Sequence, residues 1–303
     1  MEAVFSQAAI YIGTMALGYF LKRVGIFHSE DKKVLGNLIV YITLPALLIS
    51  SFGGVTVDFW FLISFALGLG CNAAMVALAF LASRGKPVAM RALYTINGAG
   101  FNLGNITIPF LREFFPTGIP YLCMFDTGDS FFTLGTTYAI ASTQLGQKRG
   151  PVSKNILKGL LSSVPFDVYV IMTVLSLLHL SLPPAVLQAA DFLGRGNGCF
   201  AMLMVGISLE LHLERSAIKD VLTLLFLRYA AGAVFALSIF FLLPAPPVMR
   251  QILAVAVFSS APNVCVVYSN RLGVDASVSS ALNPISTLLS LPLMAAILSV
   301  LLG

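Results

Sequence analysis

Long apolar stretches alternate with short polar ones along this chain. Their lengths predict ten membrane-crossing helices, over residues 4–21, 34–52, 58–83, 92–115, 119–141, 155–180, 184–209, 220–243, 248–271 and 276–302. A helix that crosses lipid needs about 20 predominantly apolar residues, and each stretch is close to that length. The fourth and the ninth, near Asn102 and near Asn263, are interrupted by Gly, Pro and Asn about halfway along. Unpaired backbone groups at that depth are tolerated only where protein or a water-filled cavity surrounds them. Broken helices at matching places in two halves of a chain therefore point to a transporter binding site.

The longest polar connection, TQLGQKRGPVSK from Thr143 to Lys154, divides the ten into five and five. It predicts a first repeat over 1–142, a cytoplasmic linker over 143–154 and a second repeat over 155–303. An odd number of crossings per half makes the second half enter the membrane upside down, which is the inverted-repeat condition. A shift of 161 positions carries Asn102 onto Asn263 and Pro45 onto Gly206. The first pair lies in the two interrupted helices. The second lies deep in segments two and seven, where proline removes a hydrogen bond and glycine a Cβ, so each weakens its helix. The expected fold is an all-α polytopic membrane protein of ten helices in two inverted five-helix repeats.

Composition agrees with this class. Of the 303 residues, 58% are hydrophobic and 10% charged, against about 25% charged in soluble domains, and the mean hydropathy is +0.92. No cleavable signal peptide is expected, because the first segment lacks a basic leader and a small-residue cleavage site. Cys71, Cys123, Cys199 and Cys265 lie inside apolar runs without a CxxC, and His28, His179 and His212 share no ligand spacing, so neither a metal nor a cofactor is expected.

Charge sets the orientation. Of the 18 Lys and Arg residues, 14 fall on the connections after segments one, three, five, seven and nine, for example Lys22, Arg84, Lys148, Lys219 and Arg271. Cytoplasmic loops collect such residues, so both termini are expected outside, in the plasma or inner membrane. The net charge of +5 is then a topology signal, and no contiguous basic face suggests nucleic acid.

Segment four reads TINGAGFNLGNITIPFL from Thr95 to Leu111. Gly98, Gly100 and Gly104 each lower helix propensity by about 1 kcal/mol, and Pro109 leaves the Asn105 carbonyl without its usual partner. Asn97, Asn102 and Asn105 add amide groups at the same depth. Segment nine reads VFSSAPNVCVVYSN from Val257 to Asn270, where Pro262 suits the start of a new half-helix and the N–H groups of Asn263, Val264 and Cys265 would face a cavity. Two half-helix N-termini meeting near the midplane make a site for a carboxylate without a buried Lys or Arg. The expected substrate-binding residues are Asn102, Gly104, Asn105, Pro262, Asn263 and Val264, with Pro109, Pro45 and Gly206 as helix breakers. Ordinary kinks remain the alternative.

These residues resemble the auxin efflux carrier family of permeases, within the bile, arsenite and riboflavin transporter superfamily. Asn102, Gly104 and Pro109 are similar to its pattern N-x-G-x-x-x-x-P-[FL]. Ala261-Pro262-Asn263 looks like its second crossover, and Val205 to Leu209, Asn283 to Pro292 and Leu44-Pro45-Ala46 also match in order. The resemblance implies crossing helices four and nine, a scaffold of segments one, two, six and seven, and a part that moves as an elevator. It further implies auxin-like, malate-like or malonate-like substrates and a homodimer. Asn105 and Thr107 depart from the pattern and make the crossover more polar, so the substrate need not carry over.

Asp126 and Asp129, in FDTGDSFF of segment five, are the costliest residues, at about 2.5 to 3.5 kcal/mol for a mid-helix aspartate. Spaced three apart on one helix face, they are the expected ion-coupling residues, binding protons during transport. Alternatively they are structural, sitting in water or pairing with Arg228, which could instead snorkel toward the cytoplasm. Sodium coupling would require a cage of carbonyl and carboxylate oxygens. Secondary transport leads, with no nucleotide-binding motif present. A receptor or channel on the same fold, and an intramembrane enzyme using Asp126 and Asp129, stay open.

Overall fold

The computed structural model describes residues 2–52, 58–147, 159–209 and 215–302. Residues 148–154 of the linker, with Glu210 and His212, lie outside them. The described chain is helical, and no strand occurs among its residues. Five helices are long and apolar enough to cross a membrane: Glu2–Arg23, Lys32–Phe52, Phe59–Ala82, Ala217–Leu242 and Ser277–Leu302. Among the remaining apolar stretches, segments four, seven and nine are divided into shorter pieces. Segment four becomes Val88–Gly98 and Leu103–Arg112, segment seven becomes Pro184–Gly194 and Asn197–Ser208, and segment nine becomes Pro247–Ala256 and Val264–Leu272.

Packing gathers the helices into two groups, which also touch where Glu2–Arg23 lies against Ser277–Leu302. Glu2–Arg23 lies against Asn197–Ser208, and Leu44–Phe52 lies against Pro184–Gly194 and Val164–Leu177. Phe59–Ala82 lies against Ile119–Phe131 and Val88–Gly98, while Arg215–Leu242 lies against Pro247–Ala256 and Ser277–Leu302. Gly206 sits inside a continuous helix and serves close packing there. A Cβ at this position would come 2.1 Å from the Met15 carbonyl oxygen, so only glycine lets the two backbones touch. Pro45 follows a π-turn over Ile39–Thr43, where hydrogen bonding has already slipped by one residue and the missing proline donor is absorbed.

Polar links join the groups. Asn197, fully buried, donates from Nδ2 to the Gly104 carbonyl (3.1 Å) and accepts from Thr43 Oγ1 (2.8 Å). Arg112 Nη2 pairs with Asp191 (2.5 Å) and donates to Ser50 Oγ (3.2 Å).

Candidate functional site

The break in segment four spans residues 99–102. Gly100 has φ +78°, a left-handed conformation that side-chain-bearing residues adopt at a cost. Its missing side chain also makes room for the other broken segment, since a Cβ here would meet Thr133 Oγ1 at 2.4 Å and Pro262 Cγ at 2.8 Å. Unwinding thus starts at Gly98 to Gly100, upstream of Pro109. Pro109 instead directly follows the π-turn Leu103–Thr107, buried and away from the cavity, where hydrogen bonding has already slipped by one residue and its lack of an N–H is absorbed, as at Pro45.

The second break spans 257–263, and the two meet directly. The Asn102 N–H donates to the Ser260 carbonyl (3.0 Å), and Thr107 Oγ1 donates to Ser259 Oγ (2.8 Å). Helix Ser277–Leu302 holds the second break from behind: Asn283 Nδ2 donates to the Ala261 carbonyl (2.5 Å), and Ser286 Oγ accepts from the Ala261 N–H (2.9 Å). The first break is held by Asn72, whose Oδ1 accepts from the Gly100 N–H (2.9 Å).

A cavity of about 630 Å³ lies where the breaks meet. Asn102, Gly104, Asn105, Asp126, Asp129, Pro262, Asn263 and Val264 all line it. Pro109, Pro45 and Gly206 do not. Tyr169, Ser130, Thr133, Tyr138, Tyr268 and Arg271 complete much of its polar lining, and the exposed Arg271 marks where it reaches the surface. Three π-turns border it, at Ile39–Thr43, Leu103–Thr107 and Phe132–Thr136, in keeping with the frequency of such turns at functional sites.

Both half-helices point their N-termini at this space. The first-turn N–H groups of a helix lack intrahelical acceptors and carry its positive dipole end. On the ninth segment, the Cys265 N–H turns back to the Pro262 carbonyl (3.3 Å), which leaves those of Asn263 and Val264 for the cavity. Asn102 Nδ2 and Asn105 Oδ1 are buried and have no partner among the described residues. Since buried polar atoms are nearly always bonded, they are poised for something that enters.

The two aspartates differ. Asp129 is 1% exposed and accepts from Asn72 Nδ2 (2.7 Å), Thr133 Oγ1 (2.9 Å) and the Phe101 N–H (3.5 Å). Asp126 is partly exposed and accepts from the Tyr169 hydroxyl, which belongs to a helix of the other packing group. Arg228 neither snorkels nor pairs with an acid. It is 1% exposed and donates to backbone carbonyls of both breaks. Asn72, a lone amide in the apolar run GLGCNAAMV, carried a readable signal in the sequence; Tyr169 carried none.

No curated protein matches the chain. Residues 3–149 match the family model described as Membrane transport protein. Over these residues, just under half of its length, the chain is similar to the membrane transport protein family, which is that of the auxin efflux carriers.

Proposed function

We propose that this integral membrane transporter is a secondary carrier of small organic anions, moving carboxylates of auxin-like, malate-like or malonate-like size by an elevator form of alternating access. The observation that carries this reading is the buried, unpartnered Asn102 Nδ2 beside two half-helix N-termini on one cavity. Donors and positive dipole ends converge there, an arrangement suited to a carboxylate. The contact residues are Asn102, Gly104, Asn105, Pro262, Asn263 and Val264.

The fold reading behind it is ten helices in two inverted five-helix repeats, over 1–142 and 155–303, with helices four and nine crossing. It is supported by how each break is held: segments three and five hold the first through Asn72 and Asp129, and segments eight and ten hold the second through Arg228, Asn283 and Ser286. These are corresponding positions in the two halves. The scaffold is the packing group of segments one, two, six and seven, and the other group moves. Asp126 is the proton carrier, because it faces the cavity with a single hydroxyl partner, whereas three donors commit Asp129 to the crossing. The carrier works as a homodimer in the plasma membrane, without cofactor or nucleic acid.

Calorimetric titration with malonate, malate and indole-3-acetate tests the site. Replacing Asn102 or Asn263 with Ala should weaken binding by about 1.5 to 3 kcal/mol, the range for hydrogen bonds to charged groups. Unchanged affinity in both variants rules the site out. Orientation is checked by reporter fusions: one after Gly303 should read as external and one between Gly146 and Pro151 as cytoplasmic. Both on one side would reject the ten-helix count.

A further inference from the structure

Unwound carbonyls at crossing breaks are the groups that coordinate a coupling cation in transporters of this general design. Such a set exists here. The Gly100 carbonyl lies 2.8 Å from Arg228 Nη1, the Ser259 and Ser260 carbonyls lie 3.4 and 3.5 Å from the same nitrogen, and the Ala99 carbonyl lies 3.4 Å from Nη2. Both breaks contribute, and the oxygens gather around one end of a guanidinium.

Arg228 forms no ion pair among the described residues. A buried charge without compensation is costly, so its balance must come from nearby. It comes through one peptide unit. The Gly100 carbonyl accepts from Arg228 while the Phe101 N–H of the same peptide donates to Asp129 Oδ2 (3.5 Å). That peptide dipole lies between the positive and the negative group with its oxygen toward the cation and its N–H toward the anion. The Phe101 ring, 6.0 Å from Arg228 Cζ, adds a cation–π contact.

We propose that Arg228 is a tethered cation built into the crossing. Its guanidinium takes the place between the carbonyls of both breaks that a mobile cation would otherwise take, so the crossing needs no sodium. A covalently attached charge cannot leave, so the breaks stay joined whichever way the carrier faces. No ion-release step then occurs at the crossing, and any coupling enters elsewhere in the cavity.

Thermal unfolding of the purified protein tests this without a substrate, so the outcome does not depend on the carboxylate reading. Sodium chloride and choline chloride are compared at equal ionic strength. The wild-type midpoint should be the same in both. Arg228→Ala should unfold at a lower temperature and recover part of the loss, saturably, with millimolar guanidinium or sodium, while tetramethylammonium has no effect. Arg228→Lys, which keeps a tethered charge and covers the case in which the alanine variant does not fold, should be insensitive to sodium. A saturable sodium-induced rise in the wild-type midpoint would overturn the proposal. So would an Arg228→Ala variant as stable as wild type, one that neither cation restores, or an Arg228→Lys variant that sodium stabilises.

Discussion

Gly100→Ala should lower the protein's stability by about 2 to 5 kcal/mol and abolish transport. Two costs add. An alanine in the left-handed region costs about 1 to 2 kcal/mol, and overpacking against an ordered neighbour costs about 1 to 3 kcal/mol. Neither cost can relax easily. The added methyl would fall 2.4 Å from Thr133 Oγ1 and 2.8 Å from Pro262 Cγ, and Thr133 is already engaged with Asp129. Moving Pro262 away would part the two breaks and shift the carbonyls around Arg228. Thermal unfolding in detergent, beside Gly146→Ala at another left-handed glycine with open space around it, separates the two costs. Gly146→Ala should lose only the conformational part. Equal losses in both variants would mean that the close approach of the breaks at Gly100 has no energetic weight.

The second large effect separates the two aspartates. Asp126→Asn keeps the shape of the side chain and a hydrogen-bond acceptor for Tyr169 but fixes the group as neutral. Substrate exchange should persist while accumulation driven by a pH gradient disappears, because a permanently neutral carrier can change its facing but draws no energy from protons. Asp129→Asn should behave differently. Asn72, Thr133 and the Phe101 amide all donate to this carboxylate, so an asparagine would set its own NH2 against donors and leave Arg228 uncompensated. A buried charge left without compensation costs about 3 to 5 kcal/mol, enough to lose folded protein and both modes of transport together. Vesicle assays with and without an imposed pH gradient give the answer. If Asp129→Asn exchanges normally but no longer accumulates, and Asp126→Asn still accumulates, the two roles are reversed.

Much of the site was readable because its chemistry is costly inside a membrane. Glycine, proline and asparagine in the middle of an apolar run, and two aspartates on one helix face, have few explanations other than a cavity. Asn102, Asn105, Asp126, Asp129, Pro262 and Asn263 lie on one wall system for that reason. What the sequence hid was register and partnership. The interruption near Asn102 covers residues 99–102, beside Gly98 and Gly100, while Pro109 does not break its helix because the π-turn before it absorbs the missing donor. π-turns have no residue signature, so their three positions around the cavity could not be anticipated. Segment seven concealed its interruption at Arg195 and Gly196 inside a stretch of ordinary hydropathy. Arg228 read as a snorkelling or acid-pairing residue because carbonyls as partners are invisible to side-chain spacing. Tyr169 resembled any aromatic in a membrane helix until Asp126 was found beside it.

Counterflow in proteoliposomes is the measurement on which the account stands. Vesicles loaded with unlabelled malonate, malate or indole-3-acetate are diluted into tracer of the same compound. Wild-type protein should concentrate at least one tracer transiently and saturably, and Asn102→Ala and Asn263→Ala should require at least about tenfold more substrate for the same rate, as loss of a hydrogen bond to a charged group implies. Folded wild-type protein that moves none of these anions, or variants that match the wild type at every concentration, would contradict the assignment of the crossing as a carboxylate transport site.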